Sequence, residues 1–413
     1  MAGELNRIIM AFANAVEAKD GGKVAEFLQI SKSQRIRERV GLILDRNPKI
    51  DLSHFCSIVD TAIITIGEAL AVHFRAMQAY QRGCFVDAYT LLTQSSQAFL
   101  SEFRNQETMW PLDCIKVLVY DLRMVATRAD KELAMQGKLP EKLTDAGRRM
   151  MSAFSTLTGT KAKRGATLSI TCQLFKVYFK LNTVNLCRHL INTMEKPNFY
   201  DFNLWPASER VTYNYYTGRL EVLNDNFEMA NKKLSYALAH CHRSHRSNIR
   251  IILMYLVPVK ASTGVLPSYE LLKAYHLYEY IDVVRAIRSG DVRLLKKALL
   301  RHEDRFLKAG VYLVLEKLET VVYRQIIKRI YLIQKQRDAD KAHLLKLDVI
   351  HKAFKWLSVD IDFEEVECIM STLIYKGYVK GYISHKNKVV VLKKEPAGGT
   401  SKDGPFPAIG ANM

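Results

Sequence analysis

His240, Cys241, His242 and His245 form the one dense cluster of metal-ligating residue types in the chain. Zinc requires about four soft ligands converging tetrahedrally. On a helix or at its C-terminal cap these four point in different directions, and no second cluster completes a set. The block CHRSHR reads better as capping and anion contact, so no metal is expected. Asp360, Asp362, Glu364 and Glu365 form a second group, of carboxylates. Acid–base work would need such groups perturbed in a cleft, whereas Asp362 as an N-cap with Glu365 three residues on explains them as a capping box. Walker A, GxGxxG, GxSxG and HExxH are all absent. No catalytic residue, metal site or cofactor is assigned, and the chain reads as a non-enzyme.

Chemistry of another kind is carried by charge. The 413 residues hold 61 Lys and Arg against 42 Asp and Glu, a net charge of +19. Such an excess speaks to partners: nucleic acid, an acidic protein or an anionic surface. It is regional, because Lys and Arg outnumber Asp and Glu roughly two to one between 240 and 357. Candidates for phosphate contact, chosen by local charge, are Arg285, Arg288, Arg293, Lys296, Lys297, Arg324, Lys328 and Arg329. To these the C-terminal hairpin adds Lys380, Lys386, Lys388, Lys393 and Lys394.

Hydrophobic residues at 48% and aromatics at 10% suit a folded chain with a large core. The seven cysteines show no CxxC spacing, which fits reduced thiols in nucleus or cytosol. The opening MAGELNRIIMAFANAVEAKDGG is charged throughout and reads as an amphipathic helix, not a signal peptide. Nowhere do 18 apolar residues run together, so no membrane insertion is expected.

The elements that must position this charge are helices. Residues 1–50 comprise a first helix and a polar, weakly periodic segment closed by Pro48. From 51 to 240, helix-length segments broken by Gly, Pro, Asn or Asp predict TPR-like repeats: 55–80, 84–103, 110–134, 141–158, 165–181 and 183–194. In 165–181, Leu168, Cys172, Leu174, Phe175 and Tyr178 share one face. Tyr213, Tyr216, Gly218 and Leu220 face Ala230, Leu234 and Ala237 across a predicted hairpin, with Gly at the close approach and Ala opposite it. Residues 241–340 continue as basic helices, Ser289-Gly290-Asp291 supplying a C-cap and then an N-cap. Strand-like alternation is essentially absent before 378. Residues 395–413 are rich in Gly, Pro and Ala and are expected to be disordered.

Residues 341–394 read as a winged helix. A helix over LLKLDVIHKAFKWL offers Leu345, Val349, Ile350, Phe354 and Leu357. A second, capped by Asp362, answers with Phe363, Val366, Ile369, Met370, Leu373 and Ile374, and Gly377 ends it. Two strands follow around a tip at His385 to Lys388, with Val389–Leu392 returning as the more buried one. Glu364, Glu365 and Glu367 at the start of the second helix would repel phosphate, while the wing carries no acidic residue from 378 to 394. Two readings of the wing stay open: backbone contact with nucleic acid, or a solvated hairpin whose lysines discourage edge pairing.

The fold class is thus mainly α, a TPR-like helical-repeat (α-solenoid) stem capped by a C-terminal winged helix. The strings HCHRSHRSNIRIILMYLVPVKASTG, LLKAYHL, VYLVLEKLETVVYRQIIKRIYL and VDIDFEEVECIMSTLIYKGYVKGYISHKNKVVV resemble the PCI domain-containing protein 2 family. That is the PCI subunit of the TREX-2 messenger-RNA export complex (Thp1-like). The resemblance runs from about 55 to 394, and the PFP at 405–407 is similar to family members too. It implies a PCI domain, a large scaffold partner of the Sac3/GANP kind, the small acidic protein DSS1 (Sem1), and a joint RNA- or DNA-binding face. It further implies a nuclear, pore-associated location with some protein in the cytoplasm. Apolar PCI faces would make the isolated chain self-associate. The alternative is a PCI assembly subunit of a proteasome-lid or signalosome-type complex without nucleic-acid binding.

Overall fold

The structure, a computed structural model, describes residues 2–48, 50–60, 65–105, 109–394 and 404–409. They fall into two compact units, Met1–Tyr213 and Asn214–Met413.

In the first unit, α1 (Ala2–Glu17), α2 (Gly21–Leu28), α3 (Gln34–Arg46) and α4 (Leu52–Cys56) precede a run of helix hairpins. The run comprises α5 (Gly67–Gln81), α6 (Phe85–Asn105), α7 (Leu112–Met135), α8 (Lys142–Gly159), α9 (Thr167–Lys180) and α10 (Cys187–Met194). Each helix of the run packs on the next. The cause is the apolar period: on α9, Leu168, Cys172, Leu174, Phe175 and Tyr178 are all buried. Two expectations need correction. The polar segment before Pro48 contains α3, whose Val40, Ile43 and Leu44 are buried while the helix packs on α5. The helix expected over 55–80 is instead α4, a 3-10 turn at Ser57–Val59 and then α5, with part of the interval outside the described residues.

Two buried polar side chains fasten the α2–α3 connection to the hairpins. Asp121 on α7 accepts from Ile30 N at 2.7 Å, from Ser31 N at 3.2 Å and from the Ser31 hydroxyl. His73 on α5, fully buried, donates from Nε2 to Leu28 O at 2.9 Å. Burial pushes the Asp121 carboxyl above its ordinary range and drives His73 down to about 4.

The division falls within α11 (Ala207–Leu223). In the second unit, Gly218 of α11 meets Leu234 of α12 (Phe227–His240): a Cβ on Gly218 would sit 2.8 Å from Leu234 Cγ. Ala230, Leu234 and Ala237 are fully buried, but the residue opposite Gly218 is Leu234 and not an Ala, and Tyr216 and Leu220 are only half-buried. Then come α13 (Arg246–Ser262), α14 (Tyr269–Ala274), α15 (Ile281–Ser289), α16 (Val292–Arg301), α17 (Glu303–Ala309), α18 (Tyr312–Lys317) and α19 (Glu319–Arg337). Gly290 ends α15 at φ +68°, and Asp291 caps α16 by accepting from Leu294 N at 2.9 Å.

The winged helix is β1 (Leu344–Lys346), α20 (Leu347–Trp356), α21 (Phe363–Tyr375), β2 (Gly381–Ser384) and β3 (Val389–Leu392). Its antiparallel sheet has the order β1-β3-β2, with Leu345 and Ile383 both in register with Val390. Leu345, Val390 and Leu392 face inward with Leu347, Ile350 and Phe354 of α20 and Val366, Met370 and Leu373 of α21. Asp362 and Glu365 form the capping box in both directions. The expectation that 344–357 is wholly helical fails at its start, because Leu344–Lys346 pairs with β3. The helix therefore begins at Leu347, and its stripe moves to Leu347, Ile350 and Phe354, leaving Val349 exposed and Leu357 half-buried. Within the tail expected to be disordered, Gly404 to Pro407 are buried.

Two outcomes test this packing. Gly218→Ala forces Leu234 aside and should cost about 1–3 kcal/mol, read as a lower urea midpoint with unchanged slope; an unaltered midpoint would show that the hairpin yields freely. Because folded His73 resists protonation, the unfolded chain binds the extra proton as pH falls from 6.5 towards 4. Stability is therefore present above pH 6.5 and lost below it, by about 3 kcal/mol in full. Asp121 acts in the opposite sense but identically in both proteins compared, so His73→Gln should flatten the pH response relative to wild type.

Candidate nucleic-acid interface

The turn between α15 and α16 packs tightly on α19. At Gly290 a Cβ would lie 3.2 Å from Ile326 N and 3.3 Å from Ile326 Cγ1. That approach brings basic residues from separate helices together. Gln325 and Arg329 of α19 donate to Arg288 O at 3.4 and 3.5 Å, and the Arg288 guanidinium donates to Pro267 O at 3.0 Å. Arg285, Arg288 and Arg329 line one recess of about 270 Å³ with Tyr269, Leu272, Ile281, Val284 and Ser289. Guanidinium groups above an apolar floor, beside the 53% exposed ring of Tyr269, can hold a phosphate and stack on a base.

The other candidates are distributed differently. Arg293, Lys296 and Lys297 stand exposed on α16, where Lys296 pairs with Glu319 at 3.4 Å. Arg285 is also drawn to Asp282, at 3.3 Å. Lys328 is half-buried on α19. Arg324 does not belong to any such surface: it is 8% exposed and donates to Tyr378 O at 3.1 Å and Pro407 O at 2.6 Å. It lies on the buried side of α19, a correction that local charge density was unable to foresee.

The wing is not free of acid in three dimensions. Glu367 of α21 accepts from Lys388 Nζ at 3.1 Å and contacts His385 Nδ1 at 2.8 Å. The His385 contact and then Lys388 hold its carboxyl below the usual range. Lys388 Nζ also sits 5.0 Å from the Phe363 ring centre. The third of the helix-opening glutamates thus braces the tip. Lys386, Lys393 and Lys394 remain exposed, without an ion pair among the described residues, and Lys380 is half-exposed.

Sequence reasoning missed the exposed aromatics of this domain: Trp356 at 84%, Tyr375 at 91% and Tyr382 at 62%. Trp356 lies off the Leu347-Ile350-Phe354 stripe, which was the available signal. It also missed the sheet's outer face. Leu344, Val349, Val389 and Val391 line a groove of about 380 Å³ with Gln334, Lys341, Lys346, Ser384 and Asn387.

His240, Cys241, His242 and His245 make local contacts. His240 stacks on Tyr236 at 3.9 Å, and His242 Nδ1 meets Ser244 Oγ at 2.6 Å. Among the described residues, no three His, Cys, Asp or Glu side chains are grouped to hold a metal ion. No helix among them is long and apolar enough to cross a membrane.

Helical hairpins, a basic helical region and a C-terminal winged helix define a PCI-type assembly subunit. The family model described as "PCI domain" matches residues 295–394. The chain is 47% identical to "Enhanced ethylene response protein 5" of Arabidopsis thaliana, covering 98% of this chain and 97% of that one. It is 34% identical to "PCI domain-containing protein 2" of Xenopus laevis, covering 98% of each. With "Protein CSN12 homolog" of Mycosarcoma maydis it shares 31% identity over 78% of this chain and 75% of the other. The chain belongs to the PCI domain-containing protein 2 family. It is a non-catalytic PCI-domain subunit of a multiprotein complex.

If Glu367 braces the wing, Glu367→Gln should raise amide hydrogen exchange at residues 385–388 while lowering global stability by less than about 1 kcal/mol. Unchanged exchange at the tip would show that the hairpin holds itself.

Proposed function

We propose that this subunit works in a TREX-2-type messenger-RNA export complex in the nucleus, associated with the nuclear pore through that complex. In this reading it binds a scaffold of the Sac3/GANP kind and the small acidic protein DSS1 (Sem1), and adds a basic face that grips RNA or DNA by its backbone. Family membership supports the assembly. The observation that carries the nucleic-acid part is the convergence of Arg285, Arg288 and Arg329 on one apolar-floored recess beside exposed Tyr269. Lys386, Lys393 and Lys394 extend positive charge onto the wing. Guanidinium and ammonium groups without base-specific geometry favour phosphate, so weak sequence preference and strong salt dependence follow. The groove over Leu344, Val349, Val389 and Val391 is an apolar surface to offer the scaffold. The basic helices would steer an acidic partner.

A second reading keeps the assembly role and drops nucleic acid. It is favoured by the charge already engaged within the chain: Lys296 on Glu319, Arg285 on Asp282, Lys388 on Glu367 and Arg324 in the interior. Such a chain would be a structural PCI subunit of a lid or signalosome type.

The two separate in a titration of the protein, purified with its scaffold, against single-stranded RNA at several salt concentrations. Under the first reading Arg288→Glu together with Arg329→Glu weakens binding by about tenfold or more. It also makes the log–log salt slope shallower by roughly one for each phosphate that is no longer neutralised. Affinity and slope matching wild type would remove the recess from the interface and leave the structural reading.

A further inference from the structure

Residues 404–409, Gly-Pro-Phe-Pro-Ala-Ile, occupy a cleft in the second unit. Lys380 N donates to Pro405 O at 2.8 Å, while Lys380 O accepts from Lys393 N at 2.8 Å. Arg324 reaches Pro407 O at 2.6 Å. Phe406, 9% exposed, lies 5.5 Å from the Tyr331 ring and 5.9 Å from the Arg324 guanidinium. Gly264 closes the far end: at φ +83°, a Cβ there would lie 3.3 Å from Ile409 Cβ.

The recognition is specific in its chemistry. A buried guanidinium must have its donors met, and burial lowers the pKa of Arg324. It donates to two backbone carbonyls, one of them from the tail. Proline suits this setting, because it carries no N–H to leave unsatisfied and its ring pre-sets an extended backbone. Phe406 then supplies the apolar anchor between two such residues. Peptide-binding grooves elsewhere combine the same parts: backbone hydrogen bonds for affinity and one aromatic anchor for register.

We propose that this cleft, formed by α19, the turn at Gly264 that follows α13 and the backbone of Lys380, is a peptide-recognition site for an extended Pro-Phe-Pro segment. The chain's own residues 404–409 fill it as a tethered ligand. Tethering makes cis occupancy strong even if each contact is modest. The cleft opens to a peptide supplied in trans only when the tail is removed or weakened. None of this rests on nucleic-acid binding.

The test uses a fluorescein-labelled synthetic peptide of residues 403–411 and fluorescence anisotropy. The chain ending at Lys394 should bind it at least about tenfold more tightly than the full-length chain, and a peptide with the Phe406→Ala change or a scrambled order should not compete. A truncated chain that keeps its circular dichroism and melting profile yet fails to bind overturns the proposal, as does equal binding of the scrambled peptide. Should truncation unfold the chain, full-length Phe406→Ala supplies the decision. Loss of amide protection at Lys380, with protection in the α15 and α16 helices retained, together with gained binding of the wild-type peptide supports the site. Retained protection at Lys380, or no peptide binding, overturns it.

Discussion

Helix α19 is the member on which the second unit depends. Its Val321, Val322, Ile326, Ile327 and Tyr331 are buried, and it packs on α15, α16, α18 and α21. Tyr323 sets its ring edge-on against Phe354 at 5.4 Å, joining α19 to α20. One face of the helix thus seats the winged helix, another receives the Gly290 turn, and Arg324 reaches the C-terminal segment. Burial on several sides is what apolar residues at more than one helical spacing require. It also means that α19 cannot shift without disturbing the arginine recess, the small sheet and the tail cleft together.

Charge in this molecule divides into what is held and what is free. Glu319, Asp282 and Glu367 each draw a cation from the basic regions. Exposed pairs of this kind stabilise little, but they orient side chains and reduce the positive field. Among the candidate phosphate contacts, Arg293, Lys297, Lys386, Lys393 and Lys394 stay exposed and add to the long-range attraction. A flexible cation steers a partner, whereas an arginine pinned by carbonyls at a recess can position one. Arg288 is of the second sort, since its guanidinium is tied to Pro267 O.

Much of the architecture was legible because it rests on local period and cap chemistry. Gly290 and Asp291, the Asp362–Glu365 box and the close approach at Gly218 each follow from residues a few positions apart, or from one helix face meeting the next; that Leu234 is what Gly218 meets does not. The missed features share a cause. Leu344–Lys346 is too short to show a period, and becomes a strand only because β3 offers hydrogen bonds to it. Helix α3 hides its few apolar residues among arginines. Pro-Phe-Pro looks like a breaker cluster unless a carbonyl-seeking arginine and a waiting amide are known to lie opposite.

The amino-acid order alone determined the helical class, the hairpin packing, the winged-helix caps and the regional excess of positive charge. These depend on spacing along the backbone, which a linear reading contains. Tertiary structure decided which cations meet, which is buried and which are quenched by acids distant in the chain. Arg324 and Arg329 lie five positions apart on one helix, yet one is interior and the other lines a recess. Only the identity of the surfaces packed against each side of α19 separates them.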